Sequence, residues 1–233
     1  MNCYVGIDFS LNSPAFCIEK VGDFIWGSVT RSERTLESLS KNEDKPYHIL
    51  SEHAQFGIHV LEKYDLPKEY SLQEREKIAY YSMLADYLWS LITPHLNGDV
   101  YVAMEGLSFM SAGNSLIDIS MATALLRKKI LDEIGKDKFH VFTPAGVKKF
   151  AGKGNYKKHE MYDALVQSGR TKIFCELLQK NRNNWITEKL QINKPIDDLV
   201  DATWISLYLK DTIEGNLPQI ETKKKKTIKK DTN

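Results

Sequence analysis

Cysteine, proline and glycine are all scarce: 3 Cys, 7 Pro and 13 Gly in 233 residues. Such small numbers exclude collagen-like, low-complexity and disulfide-stapled classes. Cys3, Cys17 and Cys175 are odd in number, far apart and without a C-x-x-C pair. They are expected to be reduced thiols in a cytoplasmic protein, not bridges or zinc ligands. No stretch approaches the roughly 18 uninterrupted apolar residues of a membrane helix. Asp8 stands near the start with no basic region ahead of an apolar one, so the N-terminus does not read as a signal peptide. What remains is 42% hydrophobic residues over a length that buries one substantial core.

Net charge is only +1, but it is unevenly spread. Residues 1–120 carry 9 Lys and Arg against 17 Asp and Glu; residues 121–233 carry 23 against 14. A basic second half suits a polyanionic partner. Lys148, Lys149, Lys153, Lys157 and Lys158 crowd one stretch with no acid between them, and Gly152 and Gly154 let backbone come close to a ligand. Phosphate binding by such a segment would be salt-dependent and largely sequence-independent. The plain alternative is a solvated lysine loop. The spacing Gly146…Gly152-Lys153, with Gly154 in place of Ser or Thr, rejects a P-loop, so no nucleotide cofactor is expected.

Alternation and turn residues predict strands at Asn2–Asp8, Ala15–Glu19 and Phe24–Thr30. Residues 31–70 read as an irregular, charged insertion without a core role, holding one short helix around His48–Tyr64. Ser71 and Glu74 have the spacing of a capping box and open a helix through Ile92, with Ile78, Tyr81, Leu84, Leu88 and Leu91 on its apolar stripe. A buried strand, Asp99–Met104, ends on Glu105. Helix Asn114–Ile134 is closed by Gly135, strand Phe139–Thr143 follows, and helices are expected at Pro144–Phe150, His159–Gln167 and Asp197–Leu209. Residues 171–194 read as helix and loop. The expected organisation is one domain over 1–211 and a lysine-rich tail over 212–233, disordered at its end.

Asp8 and Glu105 each end an apolar strand, where open α/β sheets place their sites. Asp198 and Asp201 are three apart at a helix start and share a face. First-turn acids are favoured by the helix dipole by about 0.3–1 kcal/mol without any further role. Asp201, however, lies on the inward stripe, where an unpaired charge is costly. Converging carboxylates stay ionised with divalent cations, and hard oxygen donors select Mg²⁺ or Mn²⁺. Two such ions ~4 Å apart suit phosphodiester cleavage.

Gly6-Ile7-Asp8-Phe9-Ser10, Met104-Glu105-Gly106, the Val147-Lys148…Lys158 stretch and Asp198-x-x-Asp201-Ala202 together resemble the RuvC family of Holliday-junction resolvases. The resemblance covers most of 1–30 and 99–211, and each motif is weak without the others. It implies an RNase H-like α/β fold: a mixed sheet of three antiparallel strands followed by parallel ones, flanked by helices. It implies two Mg²⁺ (or Mn²⁺) ions held by Asp8, Glu105, Asp198 and Asp201, and products with 5′-phosphate and 3′-hydroxyl ends. Lys148 and Lys158 would contact the scissile phosphate, and Phe109 would push against bases at the junction centre. A homodimer on four-way junctions or other branched DNA is also implied, with helix Asn114–Ile134 (Met121, Ala124, Leu125) as the candidate interface. Residues 31–70 and about 171–194 have no counterpart in the compact bacterial resolvase. The enlarged core would suit a phage or viral version acting in the host cytoplasm. Two alternatives stay open: a ribonuclease H-type nuclease and a noncatalytic branched-DNA-binding protein.

Overall fold

The computed structural model describes residues 1–30, 43–61, 64–107 and 114–217. Its elements run β1 (Asn2–Asp8), β2 (Ala15–Lys20), β3 (Asp23–Thr30), α1 (Pro46–Ser51), β4 (Phe56–Val60), α2 (Tyr70–Ile92) and β5 (Asp99–Glu105), then α3 (Asn114–Ile134), β6 (Phe139–Phe142), α4 (Pro144–Ala151), α5 (Lys158–Ser168), α6 (Lys172–Trp185) and α7 (Ile196–Ile213). The six strands lie in the order β4-β3-β2-β1-β5-β6. β1, β2 and β3 form an antiparallel meander, while β5 joins β1, and β6 joins β5, in parallel. This is the mixed sheet expected of an RNase H-like fold, extended by β4, which lies parallel to β3.

Both faces of the sheet are covered, so the central strands are apolar on both sides. Cys3, Val5 and Ile7 of β1, Phe16 and Ile18 of β2, and Val102 and Met104 of β5 pack on one face against Leu88, Trp89 and Ile92 of α2 and Leu126 and Ile130 of α3. The alternate residues Tyr4, Cys17 and Ala103 pack on the other face with α4 to α7. α7 is the centre of that second layer. Gly6 lets it come close: a Cβ there would stand 2.3 Å from both the Ala202 carbonyl oxygen and the Ser206 amide nitrogen. The Ser206 hydroxyl then donates to the Tyr4 carbonyl at 3.0 Å.

Several local expectations are corrected. α2 starts at Tyr70, with Glu69 as its N-cap residue and no side-chain cap, so Ser71 and Glu74 lie inside the helix and form no capping box. Its buried side is set by Tyr80, Tyr81, Leu84, Ala85, Leu88, Trp89 and Ile92; Ile78 is exposed, and beside it α3 meets α2 through the Lys77–Asp118 ion pair and not through an apolar contact. Residues 43–61 are not irregular: α1 and β4 place Tyr47, Leu50 and Phe56 in the core. Trp26 stacks on Phe56 at 4.7 Å and contacts Phe174 of α6 at 5.2 Å, which binds β4 and α6 to the meander. Met121 and Leu125 pack within the chain beside Tyr80 and Tyr81, whereas Ala124 is exposed. Phe109 and the end of the lysine tail, 218–233, lie outside the described residues.

Candidate active site

Strand parity decides where the strand acids point. Ile7 pairs with Met104 in the parallel β1–β5 register, so Asp8 and Glu105 leave the sheet side by side, one residue further on. Asp8 has the parity of Tyr4 and Gly6, and Glu105 that of Tyr101 and Ala103, which is the α7 face. α7 brings Asp198 and Asp201 to the same end. Three ties hold it there: the Gly6 contact, the Trp26 indole N–H donating to Thr203 Oγ1 at 2.9 Å, and the Trp204 indole N–H donating to the Met161 carbonyl of α5 at 3.0 Å. The last tie also fixes α5, whose first residue is Lys158. α4 is capped by Thr143, whose hydroxyl accepts from the Gly146 amide at 3.1 Å. Phe150 of α4 stacks on Tyr208 of α7 at 4.8 Å, which sets the helix that carries Lys148.

The charges interact as one group. Burial, then the neighbouring Asp201 charge, push the Asp8 carboxyl well above the usual carboxylate range; Asp198 and Glu105 add to this and Lys158 opposes it. Glu105 rises to about 7 through burial and then Asp201, against the pull of Lys158 and Lys148. Burial also raises Asp198 and Asp201. Lys158 donates to Asp201. Burial by itself would lower its pKa, but the charges of Asp201 and Asp8 outweigh that and raise it. Lys194 behaves alike: it pairs with Asp198 and lies 3.0 Å from Asp197 Oδ2, and their charges outweigh burial. A cavity of about 140 Å³ opens beside Asp8 and Glu105, walled by Gly106 and by Ile119 and Thr123 of α3.

Asp8, Glu105, Asp201, Lys158 and Lys148 are thus brought within electrostatic reach of one another, with Asp198 beside Lys194. Lys149, Lys153 and Lys157 are exposed on α4, the following loop and the start of α5. Sequence reasoning missed Lys194. Its spacing to Asp197 and Asp198 is that of a helical ion pair, but the intervening Pro195 disguised it. Arg127 was also missed. Its guanidinium donates to the Glu105 carbonyl at 3.2 Å, and its buried Nε has no partner.

The donor chemistry fits a hard divalent cation: the acids offer oxygen only, and Asp198 Oδ2 and Asp197 Oδ1 are buried without hydrogen-bond partners. Among the described residues no three His, Cys, Asp or Glu side chains form a ready-made cage. In the side-chain arrangement present, two ammonium groups hold Asp201 and Asp198 instead.

A mixed-sheet α/β protein with an acidic cluster and adjoining lysines at the strand ends is the class defined by this fold and site. No family model matches the sequence, and no curated protein matches it. Among solved structures, the chain is similar to Thermus thermophilus RuvC at 11% identity and a TM-score of 0.45, covering 91% of this chain and 96% of that one. It is similar to the same organism's RuvC in complex with a Holliday junction substrate at 11% identity and a TM-score of 0.47, over 93% and 96%. A third similar structure is the yeast mitochondrial Holliday junction resolvase, at 14% identity and a TM-score of 0.48, over 91% and 83%.

Proposed function

We propose that the chain is a metal-dependent endonuclease that cuts four-way junctions or other branched DNA by phosphodiester hydrolysis. The observation that carries this reading is the meeting of Asp8 and Glu105 from adjacent strands with Asp201 of α7 beside the Lys158 ammonium. A binding module has no use for a cluster of acids whose pKa values are raised by partial burial and then by one another's charge. The order of motifs along the chain points the same way.

Asp8, Glu105, Asp198 and Asp201 would hold two Mg²⁺ or Mn²⁺ ions. When bound, these ions would neutralise the acids, activate a water for attack and stabilise the leaving oxygen. The chain's own residues do the rest. Half-burial of Asp8, Glu105 and Asp201 weakens the screening of their charges by bulk water. Lys158, held by Asp201 and anchored through α5, would meet a non-bridging phosphate oxygen and fix the scissile group. Lys148, close enough to Glu105 to lower its pKa, would meet the same phosphate from α4. Lys149, Lys153 and Lys157 would bind the flanking backbone. A homodimer would space two symmetric cuts.

The test is cleavage of a labelled mobile four-way junction against duplex, fork and RNA–DNA hybrid, in Mg²⁺ and in EDTA. Paired symmetric cuts are expected, abolished by EDTA and reduced at least about 10³-fold by Asp8→Asn. The pairing of Lys158 and Lys194 with Asp201 and Asp198 favours one rival, a protein that grips branched DNA without cutting it; tight binding with no cleavage in either metal would establish that rival. Cutting of the hybrid alone would mean a ribonuclease H-type nuclease. Against that outcome stands Glu105, which ends a strand.

A further inference from the structure

Beside the acidic cluster, a cleft of about 410 Å³ lies between the start of α5 and a hairpin closed by the Ile186–Ile192 bridge. Lys157, the N-cap residue of α5, and Lys158 and His159 of its first turn line it on one side, Lys189 and Gln191 from the hairpin, and Asp197 from α7. Lys158 and Asp197 belong to the cleft and the cluster at once, through the pairing of Lys158 with Asp201 and the 3.0 Å contact of Asp197 with Lys194. The two sites are therefore continuous.

We infer that this cleft holds the phosphodiester backbone of the DNA strand flanking the cut, with the hairpin as a fixed guide. The inference rests on the nuclease reading and adds to it a second wall, built from the 171–194 segment. Three observations support it. Lys157 and Lys189 are exposed and, unlike Lys158 and Lys194, make no ion pair among the described residues, so their charge is free for a phosphate. A polyanion approaching several carboxylates is repelled unless cations stand on its path, and these lysines stand there.

The hairpin is also held in one shape. The Thr187 amide donates to the Gln191 carbonyl at 2.9 Å, the Leu190 amide to the Thr187 carbonyl at 2.8 Å, and the Gln191 amide to Thr187 Oγ1 at 3.1 Å. The Asn193 amide donates to the carbonyl of fully buried Trp185 at 2.8 Å, which roots the hairpin in the core. Finally, Leu190 sits at the turn with φ +59 and is 48% exposed. A bulky side chain in the left-handed region is an outlier of the kind found at ligand clamps. Here it sets an apolar surface beside the lysines, where a sugar or base of the same strand would rest.

The experiment is fluorescence anisotropy of a labelled four-way junction with the full chain in EDTA, so that binding is read without cleavage, across about 50 to 200 mM salt. The Lys157→Ala/Lys189→Ala double variant is expected to bind about 10-fold more weakly, with the slope of log K against log salt reduced by about 2, since each lost phosphate contact removes roughly 0.9. Lys189→Ala alone should remove about half of that slope. Lys128→Ala, on the opposite face of the sheet, should change neither quantity. A double variant with wild-type affinity and slope overturns the cleft, and with it Lys157 as a backbone contact, and leaves the acid-cluster nuclease reading intact. Weaker binding with an unchanged slope, or with a lowered melting temperature, overturns it too, because the loss would then be structural. A wild-type chain that binds neither junction nor duplex overturns both readings.

Discussion

Glu105 shows how one residue's surroundings set a measurable property. Burial and the Asp201 charge raise its carboxyl to about 7. A carboxyl whose pKa rises on folding holds its proton more tightly in the folded chain than in the unfolded one. Its contribution to stability is therefore present below about pH 4, the unfolded value, and is lost as pH rises towards about 7. In EDTA, the wild type should lose more stability than Glu105→Gln between those limits, as followed by urea denaturation at a series of pH values. Parallel profiles would show that Glu105 is an ordinary exposed carboxylate. Lys194 supplies the complementary case. Asp198 is only 3% exposed, and Lys194 is its cation. Lys194→Met should lower stability in EDTA by about 1–3 kcal/mol by leaving a buried acceptor unpaired. Adding Mg²⁺ should narrow the gap in melting temperature if a divalent ion takes the place of the ammonium; an unchanged gap would separate Lys194 from the metal site.

Among the elements, α7 matters most, because it presents two acids and also forms the middle of a core layer. Its seat on β1 depends on hydrogen at one Cα. Gly6→Ala would force the helix away from contacts of 2.3 Å with its backbone. A loss of about 1–3 kcal/mol is expected from overpacking, together with a fall in cleavage rate beyond what the unfolded fraction explains, measured by circular dichroism and single-turnover kinetics on one preparation. Normal cleavage would mean that the position of α7 is set elsewhere. Elements of this kind were legible in the sequence where local chemistry and packing agree. Ala15–Lys20, Asn114–Ile134 and Pro144–Ala151 lie within a residue or so of expectation because alternation, a capping Thr143 and a closing glycine at 135 all act locally. The strand-end positions of Asp8 and Glu105 were legible for the same reason. β4 was not: Phe56–Val60 becomes a strand only because β3 offers it an edge and Trp26 offers Phe56 a ring. The start of α2 was missed because Ser71 and Glu74 carry a capping pattern that the chain does not use. Lys194 was hidden because Pro195 stands between it and the acids it pairs with three and four residues on.

At the scale of the whole molecule, residues 43–61 and 171–194 contribute side chains to the core. Trp26 ties β3 to β4 and α6 and, through Thr203, to α7. Chemical denaturation should therefore show one cooperative transition reported alike by tryptophan fluorescence and far-ultraviolet circular dichroism. Trp26→Ala should move that transition down by about 3–5 kcal/mol without splitting it. Two separated transitions would instead divide the chain into independently folding parts. The strand order has a further consequence for self-association. Among the described residues, the sheet ends in β4 and β6, of five and four residues. Edges this short offer few free amides to a neighbouring copy, and short edge strands are one way natural sheets avoid joining edge to edge. The geometry of the described residues therefore disfavours growth into ribbons through either margin of the sheet.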